Sequence, residues 1–205
     1  MITVRPVVEV ARREDFALWP VAARAPFTFL ELGAAMTPDE VGTAVMSLAA
    51  CNDVEPDDAG PPRPAGALDG FLHGLLTLDP LFAAGGLRVT DTRTGVRLDP
   101  GCCTGLEDRG DWWAVVDETR PAAWFGHDPT PAAERDGATI RLTVDAEAAR
   151  PERIEVSAAA LRGLLAGVED DLAGFLRLAG AWADERLPGH ADRVRAALAR
   201  ALARS

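Results

Sequence analysis

The chain contains no lysine, no glutamine and no tyrosine, so arginine carries all of its fixed positive side-chain charge. Without lysine there is no amine for a Schiff base and no P-loop lysine to meet a phosphate, which excludes lysine-based pyridoxal chemistry and Walker-type nucleotide binding. Long apolar runs are also lacking, because no stretch approaches the roughly 18 uninterrupted apolar residues of a membrane span. The opening MITVRPVVEVARRED has no basic start, long apolar run or small-residue cleavage site, so the expectation is a cytoplasmic protein. Cysteine is scarce and odd in number, three in 205 residues, which fits a reducing compartment better than an oxidising one.

Alanine, glycine, proline and arginine are abundant instead, a bias expected of a GC-rich, actinobacterial genome. The net charge of −11 argues against nucleic-acid or anionic-membrane partners, because phosphate binding depends on clustered Lys and Arg. An acidic surface favours a basic protein partner, or serves solubility alone. The length lies between one and two typical domains and no long linker divides it, so a single domain is expected. A chain of this size buries roughly 70% of the surface its unfolded form exposes, so folding requires neither a disulfide nor a metal.

Periodicity outlines an α+β chain. Ile2 to Val10 is rich in β-branched residues and reads as a strand, with a second extended segment at Phe27 to Leu32. In MTPDEVGTAVMSLAA, Thr37 is the predicted N-cap, Pro38 the first helical residue and Glu40 the partner in a capping box. An acidic loop rich in Pro and Gly is expected at about 52–66, followed by a short amphipathic helix over Leu68 to Leu76. Alternation predicts one hairpin from Leu87 and Val89 to Val96 and Leu98, and another from Ile140, Leu142 and Val144 to Ile154 and Val156. Ser157 should cap the longest helix, whose apolar stripe runs from Leu161 to Trp182, and a last helix turns Val194, Leu198 and Leu202 inward. Hairpins and helices without βαβ units predict an antiparallel sheet packed on a long C-terminal amphipathic helix and shorter helices.

The stretch DPGCCTGLEDRGDWW and the WFGHDP that follows it hold the residues with most chemistry. A disulfide between Cys102 and Cys103 would be strained, since adjacent Cα atoms lie about 3.8 Å apart and ordinary bridges need at least about 4.4 Å. Zinc could use Cys102, Cys103, His127 and Asp128, although there is no C-x-x-C, and neighbouring side chains of an extended chain point to opposite faces unless a turn intervenes. As a nucleophile, Cys103 would have His127 as base and Asp128 or Asp111 as orienter. A capping box of Thr104 and Glu107 would place that thiol at a helix start, where the dipole lowers its pKa. The simplest reading makes the stretch a buried corner: one cysteine plugs it, Trp113 and Val116 face inward with Leu106, Trp112 lies nearer the boundary, and Trp124 and Phe125 are buried.

The run GCCTGLED, a tryptophan soon after it, WFGHDP, and a helix opening with VSAAALRGLLAGVEDDL together resemble a group of uncharacterised actinobacterial proteins that share a GCC-x-GLE, W and GHDP pattern. The resemblance covers roughly Leu87 to Arg177 and implies an α+β fold. No activity is assigned to that group, so it implies no mechanism and no functional residue.

The leading functional expectation is a small acidic protein-binding module, immunity-like, that engages a basic protein and needs no cofactor. Its contact residues would be Glu55, Asp57 and Asp58, then Glu107, Asp108 and Asp111, and on the long helix Glu169, Asp170 and Asp171. The first alternative is a cysteine-dependent enzyme or redox protein using Cys103, His127 and Asp128. The second is a zinc-binding protein.

Overall fold

A computed structural model describes residues 1–55 and 61–204 of the chain. The elements in chain order are strands Ile2–Glu9 (β1) and Phe29–Glu31 (β2), helices Pro38–Cys51 (α1) and Ala67–Thr77 (α2), and strands Gly85–Asp91 (β3) and Arg97–Leu98 (β4). A 3-10 turn at Leu106–Arg109 leads into the short helix Gly110–Val116 (α3). Strands Ala122–Trp124 (β5), Ala132–Asp136 (β6), Thr139–Thr143 (β7) and Arg153–Ser157 (β8) follow, then helices Ala158–Arg186 (α4) and Ala191–Ala201 (α5). The architecture is α+β, with two antiparallel four-stranded sheets ordered β2-β1-β3-β4 and β5-β6-β7-β8. Among the described residues, no helix is long and apolar enough to cross a membrane.

The chain divides into two compact units. The first holds Met1–Val7, Gly85–Asp171 and the residues from Arg204 onward; the second holds Val8–Ala84 and Leu172–Ala203.

In the first unit both predicted hairpins form. The β3–β4 register sets Val89 opposite Leu98, and Gly95, at φ 80°, closes the connecting loop as its N–H donates to the Asp91 carbonyl at 2.8 Å. The β7–β8 register sets Ile140 opposite Val156 and Leu142 opposite Ile154, so one face is apolar while Arg153 and Glu155 face outward. Strands β5 and β6 complete that sheet and were not anticipated, because runs such as AAW and AAERD carry few of the β-branched residues by which strands are recognised. At the start of α4, Ser157 Oγ accepts from the Ala160 N–H at 3.2 Å, and Leu161, Leu165 and Val168 are buried. The buried Arg109 guanidinium grips both Glu169 oxygens at 3.0 and 2.9 Å and also donates to the Leu106 carbonyl, a forked geometry that leaves its charge paired.

In the second unit the α1 cap forms as the sequence predicts. Thr37 Oγ1 accepts from the Glu40 N–H at 3.3 Å, and Glu40 Oε2 accepts from the Thr37 N–H at 3.0 Å. The carboxyl pKa of Glu40 is lowered, first by that backbone hydrogen bond and then by Arg24. Phe16, Trp19, Phe71 and Trp182 form an edge-on aromatic cluster, with Trp19 and Trp182 centroids 5.5 Å apart. At the end of α1 the buried Asn52 side chain donates to the Leu48 and Phe82 carbonyls, each at 2.8 Å, and accepts from the Phe82 N–H at 3.0 Å. Of the acidic loop expected at about 52–66, residues 56–60 lie outside the described residues.

Candidate functional site

Both cysteines of the CC pair are exposed, which corrects the expectation that one of them plugs a buried corner. Two loops of the first unit meet here. Cys102 and His127 form an isolated antiparallel bridge, the Cys102 N–H donating to the His127 carbonyl at 2.6 Å and the His127 N–H to the Cys102 carbonyl at 3.2 Å. One residue earlier, the Gly101 N–H donates to the Phe125 carbonyl at 2.9 Å. These contacts set the distance between residues that the sequence separates by two dozen positions.

The close approach needs glycine on both sides. A Cβ at Gly101 would run into the Pro129 carbonyl oxygen and meet the His127 nitrogen at 2.6 Å. One at Gly126 would meet the Cys102 carbonyl oxygen at 2.6 Å, and Gly126 has a φ of 101°, a region L side chains rarely adopt. Underneath, Phe125 stacks on Trp112 with centroids 4.0 Å apart and planes 8° from parallel. Both rings are buried, so the loops rest on a packed aromatic floor.

That floor corrects the assignment of the tryptophans. Trp112 is buried and Trp113 is only half-buried, with Arg162 and Arg204 guanidiniums over its ring at 6.0 and 5.4 Å. Trp124 is 63% exposed, because along an extended segment Phe125 takes the inward direction.

The sulfur pair owes its geometry to a turn. Cys103 has a φ of 63°, in the left-handed region, which brings the two Sγ atoms to 3.2 Å. An extended chain would have aimed them apart. The thiols and a ring nitrogen of His127 all lie within 4.8 Å of one another. Asp128 completes the group, its Oδ2 lying 3.3 Å from His127 Nδ1, and the imidazole and carboxylate are 58% and 87% exposed.

The neighbours change the acidity of the site. The Cys103 thiol is held below its ordinary pKa, first by the hydrogen bond with Cys102 and next by that with His127. His127 is raised, first by the hydrogen bond with Cys103 and then by Asp128. Both shifts favour a thiolate beside an imidazolium.

The capping box of Thr104 and Glu107 expected from the sequence does not form. Thr104 is buried, and the turn begins after Gly105, whose N–H donates to Asp108 Oδ2 at 3.3 Å.

The acidic contact residues are largely engaged within the chain. Glu169 holds Arg109, Asp171 pairs with Arg5 at 2.8 Å, and Asp111 pairs with Arg120 at 2.5 Å. Glu107 is half-buried, whereas Glu55, Asp108 and Asp170 are exposed. Asp57 and Asp58 lie outside the described residues. Two cavities of the first unit, about 580 and 510 Å³, are lined by Met1, Asp91 and Leu164 and by Glu118, Arg120 and Arg135 respectively, not by the thiols. Cys102, Cys103 and His127 are all exposed, so the cluster stands on the surface.

Gly101 and Gly126 read as turn residues in the sequence, but that reading misses their further role, which is to let the two loops approach closely enough to bridge. No protein family, curated protein or solved structure matches the chain.

Proposed function

We propose that this protein works through its thiols, with Cys103 as the nucleophile of a thiol–disulfide exchange. The observation that carries the reading is the exposed group itself: two sulfurs 3.2 Å apart beside His127, bridged to a glycine-turned loop on a stacked aromatic floor. The Cys103 thiolate attacks one sulfur of an incoming disulfide, forms a mixed disulfide with it, and releases the other as a thiolate that takes up a proton. Cys102 acts as hydrogen-bond donor to the thiolate, and His127 supplies positive charge beside it. A bond between the adjacent cysteines is disfavoured by the short Cα separation across one peptide, so an external thiol attacking the substrate-derived sulfur of the mixed disulfide completes the exchange and releases Cys103 as its thiolate. The open surface suits a macromolecular disulfide as well as a small one.

Glutathione disulfide is the direct probe. Peptide mapping should find the mixed disulfide on Cys103, formed faster than on Cys51, and the Cys102→Ser and His127→Ala variants should slow it. Equal rates at Cys51 and Cys103 would remove the reading. The expectation of a basic protein partner ranks behind it, because Glu169, Asp171 and Asp111 already pair with arginines of the chain.

A further inference from the structure

We propose that Cys102, Cys103 and His127 also form a binding site for a borderline-soft divalent cation, zinc(II) in the first instance, with a fourth coordination position open to solvent. This goes beyond thiol exchange and does not depend on it, since ligation requires geometry and donor type whether or not the thiol is a fast nucleophile.

The donor set decides the class of ion. Two thiolates and an imidazole match zinc and other thiophilic ions, while calcium and magnesium take oxygen donors. The sequence alone spoke against the site because adjacent side chains in an extended chain diverge, and the structure removes that objection through the left-handed turn at Cys103. Three donor atoms within 4.8 Å of one another lie close to what one ion needs. Tetrahedral zinc with Zn–S bonds of about 2.3 Å separates its sulfurs by about 3.8 Å. The present spacing of 3.2 Å therefore widens slightly on binding, and both thiols are exposed, so little packing opposes the adjustment.

Two further features suit a metal. The bridge between Cys102 and His127 joins the two ligand loops through backbone hydrogen bonds, so their spacing is set before an ion arrives. The Asp128 carboxylate at 3.3 Å from Nδ1 is placed to orient the imidazole, as carboxylates commonly do for metal-bound histidines. With three protein donors the site keeps one position for water or an incoming ligand, the pattern of open rather than closed zinc sites.

The test uses the full chain, reduced and stripped of metal, competing for zinc chloride against a chromophoric chelator. One equivalent should bind, and Cys102→Ser, Cys103→Ser and His127→Ala should each weaken it by at least about tenfold. Asp128→Asn should weaken it less, and Cys51→Ser should leave it unchanged. Cobalt(II) replacing zinc in the unmutated chain should show thiolate-to-metal charge transfer, which reads sulfur ligation even where a variant folds poorly. Failure of the chain to compete for zinc, or an affinity in Cys102→Ser and His127→Ala equal to that of the unmutated chain, overturns the proposal. Fast disulfide exchange at Cys103 without zinc uptake overturns this site and leaves the exchange reading intact, and zinc uptake with slow exchange does the reverse.

Discussion

At the C-terminal end of α1, Cys51 is half-buried and its Sγ lies 3.0 Å from the Phe82 carbonyl oxygen and 3.3 Å from that of Leu48. After β4, Cys103 stands exposed, with a second sulfur at 3.2 Å and an imidazole as its neighbours. The first thiol is held as a donor to carbonyl oxygens, beside a buried Asn52 whose amide closes the same corner. The second meets groups that stabilise its anion. The two thiols thus differ in exposure and in neighbours: carbonyl oxygens and the Asn52 amide at Cys51, a second sulfur and an imidazole at Cys103.

The largest test of this contrast removes the floor beneath the exposed thiols. Trp112→Ala should destabilise the protein by about 3–5 kcal/mol in a denaturant melt, the cost of deleting a buried aromatic ring, and should also slow labelling at Cys103. Next comes Gly126→Ala, which forces a Cβ into a positive-φ position against the Cys102 carbonyl. A loss of about 2–3 kcal/mol is expected, and separation of Cys102 from His127 should reduce the rate advantage of Cys103 over Cys51. If Gly126→Ala leaves both stability and labelling unchanged, the bridge does not hold the site together.

On the other side of the comparison, Asn52→Ala strands the Phe82 N–H and should cost about 2 kcal/mol. It should expose Cys51 to alkylation without altering Cys103, a selectivity that mass spectrometry of labelled peptides can read.

The smallest effect on stability is expected from Cys103→Ser, within about 0.5 kcal/mol because the side chain is exposed, although it abolishes the fast-labelling site. The pH dependence has a definite sign. A lowered thiol pKa means that Cys103 keeps its thiolate to lower pH than a free cysteine, and the raised His127 pKa keeps the imidazolium to higher pH. Iodoacetamide labelling of Cys103 should therefore persist below the usual thiol range and decline only as pH falls through the lowered value. In His127→Ala the decline should move upward; an unmoved profile would show that the imidazole does not hold the thiolate.

Much of the fold could be read from local pattern. The Thr37–Glu40 capping box, the β3–β4 and β7–β8 hairpins and the buried positions of α4 and α5 follow from periodicity and end signals, which depend on residues a few positions apart. Strands β5 and β6 escaped because alanine-rich segments carry little strand signal of their own, and it is pairing with β7 that makes them strands. The assignment of Trp112 and Trp113 inverted because a seven-residue helix is too short for periodicity to choose its buried face.

The sequence by itself determined the chemistry available: arginine as the only fixed side-chain cation, an acidic balance, two adjacent cysteines, and a His-Asp pair downstream. Only the tertiary structure decided that these groups form one site. Bringing Cys102 to His127 depends on a backbone bridge between distant loops, and turning two adjacent sulfurs to the same side depends on the left-handed conformation at Cys103. Neither leaves a periodic trace along the chain, since both are set by contacts between segments and not by the spacing of residues within one.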